Sequence, residues 1–134
     1  MGIGYGSSMT NTDEVIWAAG DDGTLSAVYD TYSTEDGRPT VDTTNLYTTT
    51  SVVNNGFIDF TSTRPITPPS SDTNSFTITL DTTINMIWAY NDYVSSVGFD
   101  DGVAYHADNK SDPLIWYMEV NSSGSVASWG NNGA

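Results

Sequence analysis

The stretch Phe76-Thr77-Ile78-Thr79-Leu80-Asp81-Thr82-Thr83-Ile84-Asn85-Met86-Ile87-Trp88-Ala89-Tyr90 places apolar side chains at alternate positions. They fall at Phe76, Ile78 and Leu80, then at Ile84, Met86, Trp88 and Tyr90. A period of two sends successive side chains to opposite faces of an extended chain, so both runs predict strands with one wet face. The pattern recurs at Leu114, Trp116, Met118 and Val120, and more weakly at Leu25, Ala27 and Tyr29. Val15-Ile16-Trp17-Ala18 and Phe57-Ile58-Asp59-Phe60 are shorter strand candidates. No window carries a helical repeat.

Turn chemistry separates these runs. Asp22-Gly23, Asp36-Gly37, Asn55-Gly56 and Asp101-Gly102 tolerate the positive φ that tight hairpins need. Pro65, Pro68 and Pro69 remove ladder donors and predict a loop from about Arg64 to Asp72. The threonine-rich stretch Thr40 to Thr50 reads as edge strand or loop. Roughly eight or nine short strands at this spacing predict an all-β fold, an antiparallel immunoglobulin-like β-sandwich. It is expected to occupy residues 1–120. The Asn/Gly/Ser-rich 121–134 reads as tail or linker, with Trp129 hinting that part of it packs. Gly2-Ile3-Gly4-Tyr5-Gly6 already alternates like a strand in progress, which predicts upstream strands in a longer protein.

Composition narrows the function. Three basic residues, Arg38, Arg64 and Lys110, face seventeen acidic ones, for a net charge of −14 over 134 residues. Such a surface repels nucleic acid and anionic membrane, both of which are bound through Lys and Arg. Absence of cysteine excludes disulfides, thiolate metal sites and cysteine catalysis. No segment is apolar and long enough to span a bilayer as a helix, and no signal peptide opens the chain. The sequons Asn109-Lys110-Ser111 and Asn121-Ser122-Ser123 make Asn109 and Asn121 glycosylation candidates. They lean toward an extracellular or exoplasmic location.

Met9 and His106 are the candidate ligand pair. His106 is the one histidine in the chain, and a thioether partners it usefully on haem iron or copper. A single histidine makes a poor copper site. Asp21-Asp22-Gly23, Glu35-Asp36-Gly37 and Asp100-Asp101-Gly102 lack the spacing of a calcium-wrapping loop and read as turns. No carboxylate pair stands out for glycoside hydrolysis, and Gly4-Tyr5-Gly6-Ser7-Ser8 is not a nucleophile elbow. No catalytic residue is expected.

In order, several segments resemble the DOMON domain, the β-sandwich family that includes the cytochrome domain of cellobiose dehydrogenase. Gly2 to Met9, with Asp13 and Val15-Ile16-Trp17, resembles its glycine-rich strand and methionine loop. Asp30, Gly37-Arg38-Pro39 and Asp42 resemble its central Asp…Pro…Asp segment. Phe60 to Pro65 resembles its Arg-Pro strand end, and Ile87-Trp88-Ala89-Tyr90 with Tyr105-His106 its ending. The resemblance spans about Gly2 to Val120.

It implies a b-type haem with Met9 and His106 as axial ligands, in a one-electron relay serving a redox partner protein or attached domain. Glycines 2, 4 and 6 would clear one strand face for the macrocycle, with Tyr5, Trp88, Tyr90, Phe99 and Tyr105 available as walls. Arg64, Arg38 and hydroxyl side chains are propionate candidates, although Arg64 is expected to pair with a carboxylate near the sheet. The alternative is a haem-free module for carbohydrate binding, adhesion or assembly, in which Tyr93, Trp116 or Trp129 would stack on sugars or neighbouring subunits.

Overall fold

The computed structural model describes residues 1–20, 22–91 and 110, and the backbone of 116–120 and 126–131. In chain order the strands are β1 Gly2–Tyr5, β2 Thr12–Ala19, β3 Leu25–Ser33, β4 Thr40–Val41 and β5 Thr48–Asn54. They continue with β6 Phe57–Thr63, β7 Thr83–Ala89, β8 Trp116–Val120 and β9 Val126–Asn131. The described residues contain no helix. Seven strands form one sheet in the order β4-β3-β2-β1-β7-β8-β9, while β5 and β6 form a separate hairpin. Every ladder is antiparallel.

Register assigns side chains to the two faces of the large sheet. Tyr5 lies opposite Asp13 and Met86, and Ile3 opposite Val15 and Trp88. Directly opposed residues share a face, so Ile3, Tyr5, Asp13, Val15, Trp17, Met86 and Trp88 point one way. Gly2 and Gly4 lie opposite Ile16 and Glu14 on β2 and opposite Ala89 and Ile87 on β7. That second set forms the glycine face.

The hairpin and the segment 64–80 cover the first face as the second layer of the sandwich. Trp17, 8 % exposed, stacks on Phe60 with centroids 5.8 Å apart and planes 11° from parallel. Its indole N–H donates to Ser62 Oγ at 2.8 Å, and Ser62 shares a 2.6 Å bond with Thr49 Oγ1. A buried indole thus contributes apolar area without stranding its donor. The backbone N–H of Leu25 donates to Ser51 Oγ at 3.2 Å, joining β3 to β5.

The β5–β6 turn has the predicted chemistry. Asn54 pairs with Phe57, leaving Asn55 (φ 51°) and Gly56 (φ 82°) as a two-residue loop. Two positive φ values match the strand twist and explain the Asn-Gly choice. Gly23 also has positive φ, 78°. A Cβ there would lie 2.5 Å from Val53 Cγ2, so the same glycine lets the hairpin settle on the β2–β3 turn.

Two readings change. Phe76 to Leu80 is not a strand: its residues alternate half-buried and exposed, yet it lacks a ladder partner. Ile78 N–H donating to Ile66 O at 2.9 Å ties it to the preceding loop instead. The alternation reported its burial without its pairing. Within the stretch read as tail or linker, 126–131 forms β9 and pairs with β8. The Thr40 to Thr50 stretch divides between the two-residue edge strand β4 and the first part of β5.

The β1–β2 ladder reaches the first residue. The Met1 amino group donates to Trp17 O at 3.0 Å, and Trp17 N–H donates to Met1 O at 2.8 Å. Burial lowers the pKa of this amino group, because desolvation penalises its charge.

Candidate functional site

Buried polar side chains concentrate on β2 and β3. Among the described residues, Thr12, Asp13, Glu14, Asp30, Thr31 and Ser33 are buried, against Val15, Trp17, Ala18 and Ile84 as buried apolar residues. Buried groups of this polarity need internal partners, since water supplies few.

On the hairpin side, Arg64 is the knot. Its Nη1 donates to Asp13 Oδ2 at 2.8 Å and to Tyr47 Oη at 3.1 Å, and Nη2 donates to Phe76 O at 2.5 Å. The guanidinium carbon lies 5.1 Å from the Tyr5 ring centroid and 5.4 Å from that of Tyr47. Tyr5 stacks on Phe76 at 5.3 Å with planes 2° apart. Phe76 N–H adds a second donor to Asp13 Oδ2 at 2.6 Å. One cation thereby joins β2, the chain before β5, the end of β6 and the 64–80 segment. Arg64 is thus committed to the expected carboxylate pairing, with side-chain exposure of 5 % against 4 % for Asp13. Burial raises the Asp13 pKa, while the Phe76 N–H and Arg64 oppose that rise. Tyr47 is held protonated chiefly by burial.

On the neighbouring strand, Asp30 Oδ2 accepts Leu46 N–H at 2.8 Å, and its carbonyl accepts Asp42 N–H at 2.8 Å. Asp42 Oδ1 in turn accepts Thr44 N–H at 3.2 Å. These bonds make Asp30 and Asp42 loop anchors. Burial pushes Asp30 up to about 6, against the Leu46 bond.

The glycine face is differently built. A Cβ at Gly4 would stand 2.7 Å from Thr12 Cγ2, 3.0 Å from Ile87 Cγ1 and 3.2 Å from Glu14 Cγ. At Gly2 it would meet Ile16 Cγ1 at 3.3 Å, and at Gly6 it would meet Thr12 Oγ1 at 2.9 Å. Flanking side chains therefore use the room that the glycines leave. The expectation of bare backbone open to a macrocycle is corrected: the glycines serve close packing of β2 and β7 over β1. Register puts Tyr5 and Trp88 on the face opposite the glycines.

Met9 lies half-buried on the loop joining β1 to β2. Thr12 anchors that loop by donating its hydroxyl to Ser8 O, and the Thr10 N–H donates to Ser8 Oγ at 3.3 Å. The Met9 thioether is a soft, neutral donor of the kind that can ligate haem iron. His106, Asn109, Asn121, Tyr93, Phe99 and Tyr105 lie outside the described residues, as do the side chains of Trp116 and Trp129. Of the two candidate ligands, only Met9 is among the described residues.

The acidic turns behave as turns. Asp22 Oδ1 accepts Thr24 N–H at 2.9 Å and Thr24 Oγ1–H at 2.6 Å. Glu35, Asp36 and Gly37 are exposed, and Asp21 and 100–102 lie outside the described residues. Among the described residues no group of three His, Cys, Asp or Glu side chains could hold a metal ion. The described residues include no helix long and apolar enough to cross a membrane.

The sequence reading missed Glu14. Its carboxylate, in a residue 7 % exposed, accepts Ser33 Oγ–H at 2.7 Å. Its backbone carbonyl accepts Thr31 Oγ1–H at 3.2 Å. An available signal was alternation in Thr12-Asp13-Glu14-Val15, which puts two adjacent acids on opposite faces of a strand covered on both.

An antiparallel β module whose layers are pinned by a buried Arg–Asp pair is the class defined by this geometry. The family model for the DOMON domain matches residues 1–91, and the chain belongs to that family. No curated protein and no solved structure matches it.

Proposed function

We propose that this DOMON domain holds a b-type haem between Met9 and His106 and relays single electrons, without a catalytic centre of its own. The observation supporting it is Met9, a half-buried thioether on the loop anchored by Thr12 directly after the glycine strand. Haem b supplies reversible one-electron chemistry when bound. Met9 and His106 would hold the iron from the protein side. A neutral thioether donor favours the reduced iron and so a higher potential than two histidines would give. The acidic surface would steer a basic redox partner or attached domain, with an attraction that weakens in salt. An extracellular or exoplasmic setting, with glycans on Asn109 and Asn121, accompanies this reading.

The test is a visible spectrum of natively isolated protein, oxidised and dithionite-reduced, with Met9→Ala and His106→Ala beside it. A Soret peak and a sharp reduced α-band, weakened by either substitution, are expected. A featureless spectrum that added haem does not change would sink the proposal.

A second reading is a haem-free module for carbohydrate binding, adhesion or assembly. It is favoured by apolar exposure at the hairpin tip, where Phe57 is 73 % and Val52 62 % exposed. Contiguous exposed apolar surface often marks interaction sites. Retention on immobilised polysaccharide without a Soret band would select this reading.

A further inference from the structure

Glu14 is a buried acid used neither by the Arg64 knot nor by the proposed ligand pair. We propose that Glu14 is a proton-operated latch, sealing the glycine face of the β1–β2 pair when protonated and loosening it when ionised. The proposal stands apart from the haem reading.

Its basis is the set of groups around the carboxylate. Glu14 pairs with Gly4 on β1 and Thr31 on β3. Its Cγ lies 3.2 Å from where a Gly4 Cβ would be, so the side chain folds down into the space that glycine leaves. Ser33 Oγ supplies one neutral hydrogen bond at 2.7 Å. The described neighbours on this face, Gly4 and Ile87 beside it and Thr12, Thr31 and Ser33 around it, bring no charge. Arg64 belongs to the other face. The charge of Asp13, next along β2, acts on Glu14 by repulsion. A buried carboxylate whose described donor is neutral, with a like charge nearby, is costly to ionise. Burial, opposed by Ser33 and assisted by Asp13, pushes Glu14 up to about 7.

The sign follows from proton linkage. The folded chain keeps a proton at Glu14 that the unfolded chain loses in the usual carboxylate range. The resulting stabilisation is complete at or below that range and is lost as pH rises to about 7. Once ionised, the carboxylate draws water toward Gly4 and Thr12. Thr12 also anchors the loop through Ser8, so loosening extends to the β1–β2 connection.

The test titrates the Glu14 side-chain carboxyl by carbon NMR in the intact chain and follows amide exchange of β1 and β2. A midpoint near 7 is expected, with local protection at Gly4 and the 6–11 loop falling through the same interval after correction for intrinsic exchange. Glu14→Gln should flatten the response, and its thermal midpoint relative to wild type should rise by roughly ten degrees between pH 4.5 and 7.5. A Glu14 midpoint in the usual carboxylate range, or local protection that ignores pH, would overturn the latch. Both readings come from the wild-type chain, so they decide the question even if the variant fails to fold.

Discussion

Asp13 receives two donors on Oδ2, while its buried Oδ1 has no hydrogen-bond partner. The carboxylate is therefore tied to Arg64 without being fully satisfied, and removing the cation should cost more than the bridge is worth. Arg64→Ala is expected to lose about 3–5 kcal/mol, because it leaves a buried charge uncompensated. The double variant Asp13→Leu/Arg64→Met should lie well above the sum of its single variants in urea unfolding. Additive losses would mean that the two side chains stabilise the fold independently. Gly4 gives a second test at this scale. Gly4→Ala forces a methyl against Thr12, Ile87 and Glu14, and overpacking of that kind costs about 1–3 kcal/mol. An unchanged denaturation midpoint would show that the flanking side chains yield freely.

At the scale of elements, the β5–β6 hairpin depends on its two-residue turn. Asn55→Ala and Gly56→Ala each place an alanine at positive φ and should cost about 1 kcal/mol, read by urea unfolding. Trp17 fluorescence should report the same transition, because Phe60 and Ser62 carry the hairpin onto that indole. This turn was legible because its chemistry is local: Asn-Gly between apolar runs specifies the conformation and the register together. The 76–80 segment was not, because alternating exposure also arises in a strap that lies across a sheet without joining it. Arg64 was legible as a carboxylate partner from the scarcity of cations, but its tyrosine flanks depend on contacts between segments far apart in sequence. The glycine row misled for a similar reason. Missing side chains signal close approach, and only the register shows that neighbouring strands, rather than a ligand, make it.

Across the whole molecule, seventeen carboxylates and three basic side chains create strong self-repulsion. Moderate salt should therefore raise the thermal midpoint, most steeply below about 0.1 M, where the screening length shortens past the spacing of surface charges. A midpoint independent of salt would mean that local pairing already offsets the repulsion. Acidification should act in the same direction at first. Asp30, pushed up to about 6, takes its proton more readily when folded, so stability should fall as pH rises from the usual carboxylate range to about 6. Asp30→Asn should remove that share of the pH response in thermal melts.

The backbone bonds at Met1 have a consequence for attachment chemistry. The nitrogen that donates to Trp17 O is an ammonium whose charge burial disfavours. An acyl group on that nitrogen leaves one N–H for the same carbonyl and abolishes the charge. Acetylation, or a peptide linkage to any preceding residue, would keep the bond while relieving the desolvation. A fused partner at this end would begin as a continuation of β1, entering alongside Ala18 and Ala19 of β2, so its first residues would be held in the sheet rather than act as a flexible tether. A partner joined there would inherit a fixed direction of approach.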